Sequence, residues 1–199
     1  MDRMINTGRV IAAAFAAIAL AAVALPGIAG YQASADSQND ASPAASAIEA
    51  GKLPAGYRDW PLIAVAQEEG KLNDLRAVLG NDIAIKAAKS MTTGAGAGEK
   101  QAYPDGSVIA RLAWDHEALA ESAAAFGAAQ SYVAVHPKNG VQFMIKDARK
   151  FAATGGWGYA QFNDGKLTIA PTDTQKTAAC FACHQTVTSR DFVFNRYAP

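Results

Sequence analysis

Apolar residues in the middle of the chain come in short runs separated by turn residues, a pattern of strands more than of long helices. Leu62 to Ala66 and Arg76 to Leu79 are predicted strands or strand ends. In Ser107 to Trp114, period-two alternation puts Val108, Ala110, Leu112 and Trp114 on one face and Ile109, Arg111 and Ala113 on the other. Tyr132 to Val135 and Val141 to Lys146 are also strand-like, and Asn139-Gly140 between them is a hairpin signal. Trp157 to Phe162 follows, then the turn Asp164-Gly165, then Leu167 to Ile169. Asp191 to Phe194 reads as a last short strand.

Helices are fewer. Asn81 or Asp82 can cap one through Ile83 to Lys89. Asp115 to Gln130 is alanine-rich and helix-prone, and Asp147 can cap a short helix over Ala148 to Ala152 that Gly155-Gly156 ends. Asp173 or Thr174 can cap a C-terminal helix. Thr92 to Gly98, with three glycines, is a predicted loop, and Asp105-Gly106 a turn. Around Tyr57-Arg58-Asp59-Trp60-Pro61 the plain reading puts Trp60 in the core and pairs Arg58 with Asp59 at the surface.

The N-terminus has a different composition. Arg3 and Arg9 precede an uninterrupted apolar run of 16 residues, Val10 to Leu25, and Pro26-Gly27 breaks it. Ala33-Ser34-Ala35 is a small-x-small cleavage site, so residues 1–35 read as a signal peptide and the mature chain as beginning at Asp36 in the periplasm. The run is shorter than the roughly 20 residues that span a bilayer. Cleavage leaves 164 residues with 16 Lys and Arg against 17 Asp and Glu, enough chain for a real core and no charge excess to attract nucleic acid or an anionic membrane. Residues 36–50, rich in Ala, Ser, Asp and Asn, read as a flexible leader, with one domain over 51–199.

The candidate chemistry is at Cys180-Phe181-Ala182-Cys183-His184, a Cys-x-x-Cys-His pattern for covalent attachment of haem c. Two thiols can add to the haem vinyl groups, and His184 can bind the iron as proximal ligand. On a helix, positions i, i+3 and i+4 put all three side chains on one face. No thioredoxin-type βαβ pattern surrounds the motif, and His116 and His136 stand at no zinc-type spacing from it. With both cysteines on one haem, no disulfide is left. Only 15 residues follow His184, none of them Met or His, so a sixth protein ligand would come from Met91, His116, His136 or Met144. A four-helix bundle is excluded by the glycines and strand-like runs of Tyr132 to Ile169.

An ordered set of pieces gives the chain a family resemblance. They are Tyr57-Arg58-Asp59-Trp60, Tyr103-Pro104-Asp105-Gly106-Ser107-Val108, Met144-Ile145-Lys146-Asp147 with Phe151-Ala152, Gly155-Gly156-Trp157-Gly158, the haem motif, and Asp191-Phe192-Val193-Phe194. Over residues 53 to 199 the chain resembles the cytochrome P-460 family, which includes the β-sheet cytochromes c′ (c′-β). The resemblance implies an α+β fold: an antiparallel β-sheet core with packed helices and a C-terminal haem-binding helix, often in a homodimer. It also implies one haem, His184 proximal, and an open or weakly occupied distal side.

One position departs from that pattern. In cytochromes P-460 proper, which oxidise hydroxylamine, a lysine on the strand after the Pro-Asp-Gly turn is bonded to the haem macrocycle. Here Arg111 takes its place, and no lysine lies between Lys100 and Lys138. The c′-β branch lacks the cross-link and binds nitric oxide and carbon monoxide. Three functions therefore stand open: a gas-binding haem protein, a one-electron carrier with a redox partner protein, and an oxidoreductase acting on hydroxylamine or nitric oxide. Arg111 itself reads either as a solvated arginine or as a distal-pocket residue that donates hydrogen bonds to a polar ligand.

Overall fold

The structure, a computed structural model, describes residues 42–93 and 102–199. The expected signal peptide, its cleavage site and the start of the leader lie outside these residues, as does most of the loop expected over residues 92–98. The first described residues are not a flexible leader. Ser42 caps helix α1 (Pro43–Glu49), its side chain accepting from the Ala45 N–H, and α1 buries Ala45 and Ile48 in the core. A serine N-cap with proline at the first helical position is a start signal that the low-complexity composition hid.

Six strands form one antiparallel sheet in sequence order: β1 (Leu62–Glu68), β2 (Asp74–Gly80), β3 (Val108–Ala118), β4 (Tyr132–Lys146), β5 (Trp157–Asn163) and β6 (Lys166–Ile169). With α1, α2 (Asp82–Thr93), α3 (Ala120–Phe126) and α4 (Thr174–His184), the fold is α+β.

Alternation along β3 divides the molecule. Val108, Ala110, Leu112 and Trp114 pack with Phe143, Ile145, Phe162 and α1 on one face. Ile109 packs with Ile63, Val78, Trp157 and α2 on the other. Trp157 and Phe162 are fully buried, and truncating either to alanine costs about 3–5 kcal/mol. Trp60 packs edge-on against Phe143, while Arg58 stacks over the Tyr57 ring instead of pairing with Asp59. Asn81 caps α2 by accepting from the Ala84 N–H at 3.0 Å; it also accepts from the Val108 N–H and donates to the Gly106 carbonyl, tying helix, strand and turn together.

Four elements differ from expectation. Asn139 and Gly140 both lie in the left-handed region (φ 59° and 60°), yet they make a bulge inside one continuous β4 and not a hairpin. Opposite Leu112 to Trp114, a step of two, β4 advances from Val141 back to Pro137, a step of four. β3 continues to Ala118 because its end pairs with Tyr132 to Ala134, which shortens the expected long helix to α3. Asp147 accepts from Arg149 and Lys150 N–H groups, but the segment makes a turn and a short 3-10 helix (Ala152–Thr154) in place of an α-helix. Asp191 to Phe194 is not a strand, since Asp191 and Phe192 have φ of 49° and 66°.

Candidate haem site

Helix α4 carries the Cys-x-x-Cys-His residues. Asp173 caps it by accepting from the Lys176 N–H, and the Thr177 hydroxyl donates to the Asp173 carbonyl at 2.7 Å. Cys180, Cys183 and His184 line one cavity of about 310 Å³, whose other wall is the second face of the sheet. Neither cysteine is in a disulfide, and burial pushes the Cys180 thiol above its ordinary pKa. Among the described residues there is no group of three or more His, Cys, Asp or Glu side chains placed to hold a metal ion.

The imidazole of His184 is fixed on three sides. Its Nδ1 lies 2.7 Å from the Phe192 carbonyl, an obligate acceptor, so Nδ1 carries the proton and Nε2 is left as a bare donor atom. Tyr159 and Phe194 rings sit 5.0 and 5.1 Å from it, centroid to centroid. Burial lowers its pKa, the Phe192 bond opposes this, and the Arg111 charge adds to the lowering, a net shift that favours the neutral ring.

Arg111 lines the same cavity and is not on a solvated face. Its Nη1 donates to Gln142 Oε1 at 2.5 Å and its Nη2 to Asp74 Oδ2 at 3.2 Å. Gln142 passes the chain on to Gln161 at 2.9 Å. Asp74 is fully buried and also takes Arg76 Nε at 2.6 Å, while Arg76 reaches Glu68 at 2.9 Å. Burial lowers the Arg111 pKa and Arg76 adds to that, whereas Asp74 and Glu68 raise it. Strand register builds this strip, since Arg111 is opposite Val78 and Gln142, and Gln142 is opposite Gln161.

Of the four possible sixth ligands, only Met144 lines the cavity. Met91 faces a separate shallow pocket beside α2. His116 meets Tyr132 edge-on at the far end of β3, and His136 is exposed. The residues that sequence reading missed are Asp74, Arg76, Gln142, Gln161 and Tyr159. The alternation through Val141 to Lys146 and Trp157 to Phe162 already placed Gln142, Tyr159 and Gln161 on the faces they share with Met144 and Trp157.

The lining suits a haem. Val78, Ile109, Met144 and Phe194 give it apolar walls, and among the described residues two buried polar atoms at its edge, Arg111 Nε and Tyr159 Oη, have no partner. Two thiols and an imidazole with one free nitrogen complete the donor chemistry of a haem protein. The family model described as Cytochrome P460 matches residues 54–195, most of the chain, and the chain belongs to that family. It is therefore a haem-binding cytochrome. No curated protein matches the chain.

Proposed function

We propose that this chain is an exported monohaem c-type cytochrome of the c′-β kind. Cys180 and Cys183 hold one haem through thioethers, His184 Nε2 binds its iron, and the sixth position stays open to a small uncharged ligand such as nitric oxide or carbon monoxide. One observation carries the reading: the two thiols, the free imidazole nitrogen and Arg111 all line the same cavity. The bound haem supplies an iron that takes diatomic gases.

The chain's own residues do the rest. Tyr159, Phe194 and the Phe192 carbonyl hold the imidazole in one orientation. Arg76 and Arg111 are matched by Asp74 and Glu68, so this polar strip has no net charge and favours a neutral polar ligand over an anion. Arg111 lines the cavity, and its guanidinium N–H groups could donate to such a ligand. A guanidinium cannot copy the family lysine, because it does not lose its proton. No lysine is among the described residues that line the cavity, which weighs against hydroxylamine oxidation through a cross-linked haem.

A second reading, one-electron transfer with a redox partner, is favoured by one feature: Met144 lines the cavity and could supply a sulfur ligand. The proposal includes a periplasmic location after removal of residues 1–35, and a homodimer. Phe126, Tyr132 and Val133, exposed around the β3–β4 connection, offer an apolar surface for a second copy.

Acid–organic extraction followed by intact mass measurement tests the attachment. The expected mass is the chain from Asp36 plus one haem, with no free thiol. Haem in the organic phase, or two titratable thiols, would overturn it.

A further inference from the structure

We propose that the buried Lys146–Asp191 pair positions the proximal ligand: it aims the Phe192 carbonyl at His184 and thereby sets how strongly the imidazole donates to iron. The inference rests on the proposed role of His184 and the open sixth position.

Asp191 and Phe192 both occupy the left-handed region, with φ of 49° and 66°, which side-chain-bearing residues adopt only when their surroundings hold them. The direction of the Phe192 carbonyl therefore depends on what fixes these two residues. Lys146 Nζ donates to both Asp191 carboxylate oxygens, at 2.8 and 2.9 Å, and the Tyr103 N–H donates to one of them at 2.8 Å. Trp157 Nε1–H donates to the Asp191 carbonyl at 2.8 Å. The Phe192 ring fills the space that a Cβ on Gly155 would need, and Gly155's own carbonyl accepts from Lys146.

The holders come from different places: Lys146 from the end of β4, Trp157 from the start of β5, Tyr103 from the segment before β3. The pieces that carry the family resemblance thus converge on one residue next to the His184 acceptor. Ordinary apolar packing would pin a C-terminal tail without removing two charges from water, and a buried pair is weak evidence of stability alone. What this pair adds is direction. A well-aimed acceptor on Nδ1–H makes the imidazole a stronger donor, strengthens its bond to iron and lowers the reduction potential.

The test is resonance Raman spectroscopy and redox titration of the ferrous holoprotein carrying Asp191→Asn, and of the double variant Lys146→Met/Asp191→Asn, which removes both charges. The Fe–His stretching band is expected to fall and the potential to rise in both. Lys150→Met, which breaks the more exposed pair with Glu49, should move neither. If Asp191→Asn does not accumulate as holoprotein, Trp157→Phe removes a single donor to the Asp191 carbonyl and should give a smaller shift in the same direction. An unmoved band and potential in folded variants would overturn the inference and leave the haem reading intact, as would an equal shift in Lys150→Met. A wild-type protein with no Fe–His band would overturn the five-coordinate, open-site reading on which the inference rests.

Discussion

Two buried ion clusters on the same face of the sheet are built differently. Around Asp191 the polar groups are paired: Lys146 reaches both carboxylate oxygens and the Gly155 carbonyl, and Tyr103 and Trp157 supply the remaining donors. Around Asp74, two guanidiniums share one fully buried carboxylate, yet Arg111 keeps an Nε–H without a partner among the described residues. Leaving a buried donor unpaired costs about 1–3 kcal/mol. The paired cluster has no donor to spare, which suits a rigid support. The unpaired one leaves a guanidinium nitrogen of Arg111, a cavity-lining residue, without a partner among the described residues. Under the proposed function, the Asp191 cluster belongs to the side that holds His184 and the Asp74 cluster to the side a gas would meet.

The largest effect should come from breaking the paired cluster. Lys146→Ala leaves the Asp191 carboxylate buried and uncompensated and should cost about 3–5 kcal/mol of unfolding free energy in urea. A loss under about 1 kcal/mol would put both clusters in the same class. Arg111→Ala should affect function more than stability, because Asp74 keeps its bonds to Arg76. One lost hydrogen bond of about 0.5–1.5 kcal/mol corresponds to nitric oxide release faster by roughly 2- to 10-fold. Carbon monoxide, a poor acceptor, should change by less than about 2-fold on the same argument. Equal changes for both gases, measured by stopped flow, would mean that Arg111 acts through the cavity's shape. The smallest effect belongs to Met144→Leu, a volume-conserving change that costs under about 1.5 kcal/mol. It should leave the spin state unchanged. Conversion from low-spin to high-spin would identify Met144 as a ligand.

Much of this was visible in the sequence. The faces of β3 follow from alternation alone, and the Asn81 and Asp173 caps are local signals. The residues of the Cys-x-x-Cys-His motif sit on one helix, as their spacing requires. What escaped was set at long range. Asn139-Gly140 adopts the same left-handed backbone in a bulge as in a hairpin, and only the pairing of β3 with β4 decides between them. Arg111 meets Asp74 across the β2–β3 register, and Lys146 meets Asp191 only after the C-terminal tail has folded back onto the sheet. No local spacing announces either contact. Asp191 to Phe194 has strand-like composition, but its carboxylate is recruited by Lys146 and Tyr103, and the backbone follows the carboxylate instead of a neighbouring strand.

The proposed function requires an open haem site with His184 as the single protein ligand. The optical spectrum of the reduced protein, recorded before and after adding nitric oxide, decides it. A high-spin ferrous spectrum is expected, with an unshifted Soret band that changes at once on nitric oxide binding. A low-spin spectrum that nitric oxide leaves untouched, or a red-shifted Soret band from a haem bonded to a further residue, would contradict it.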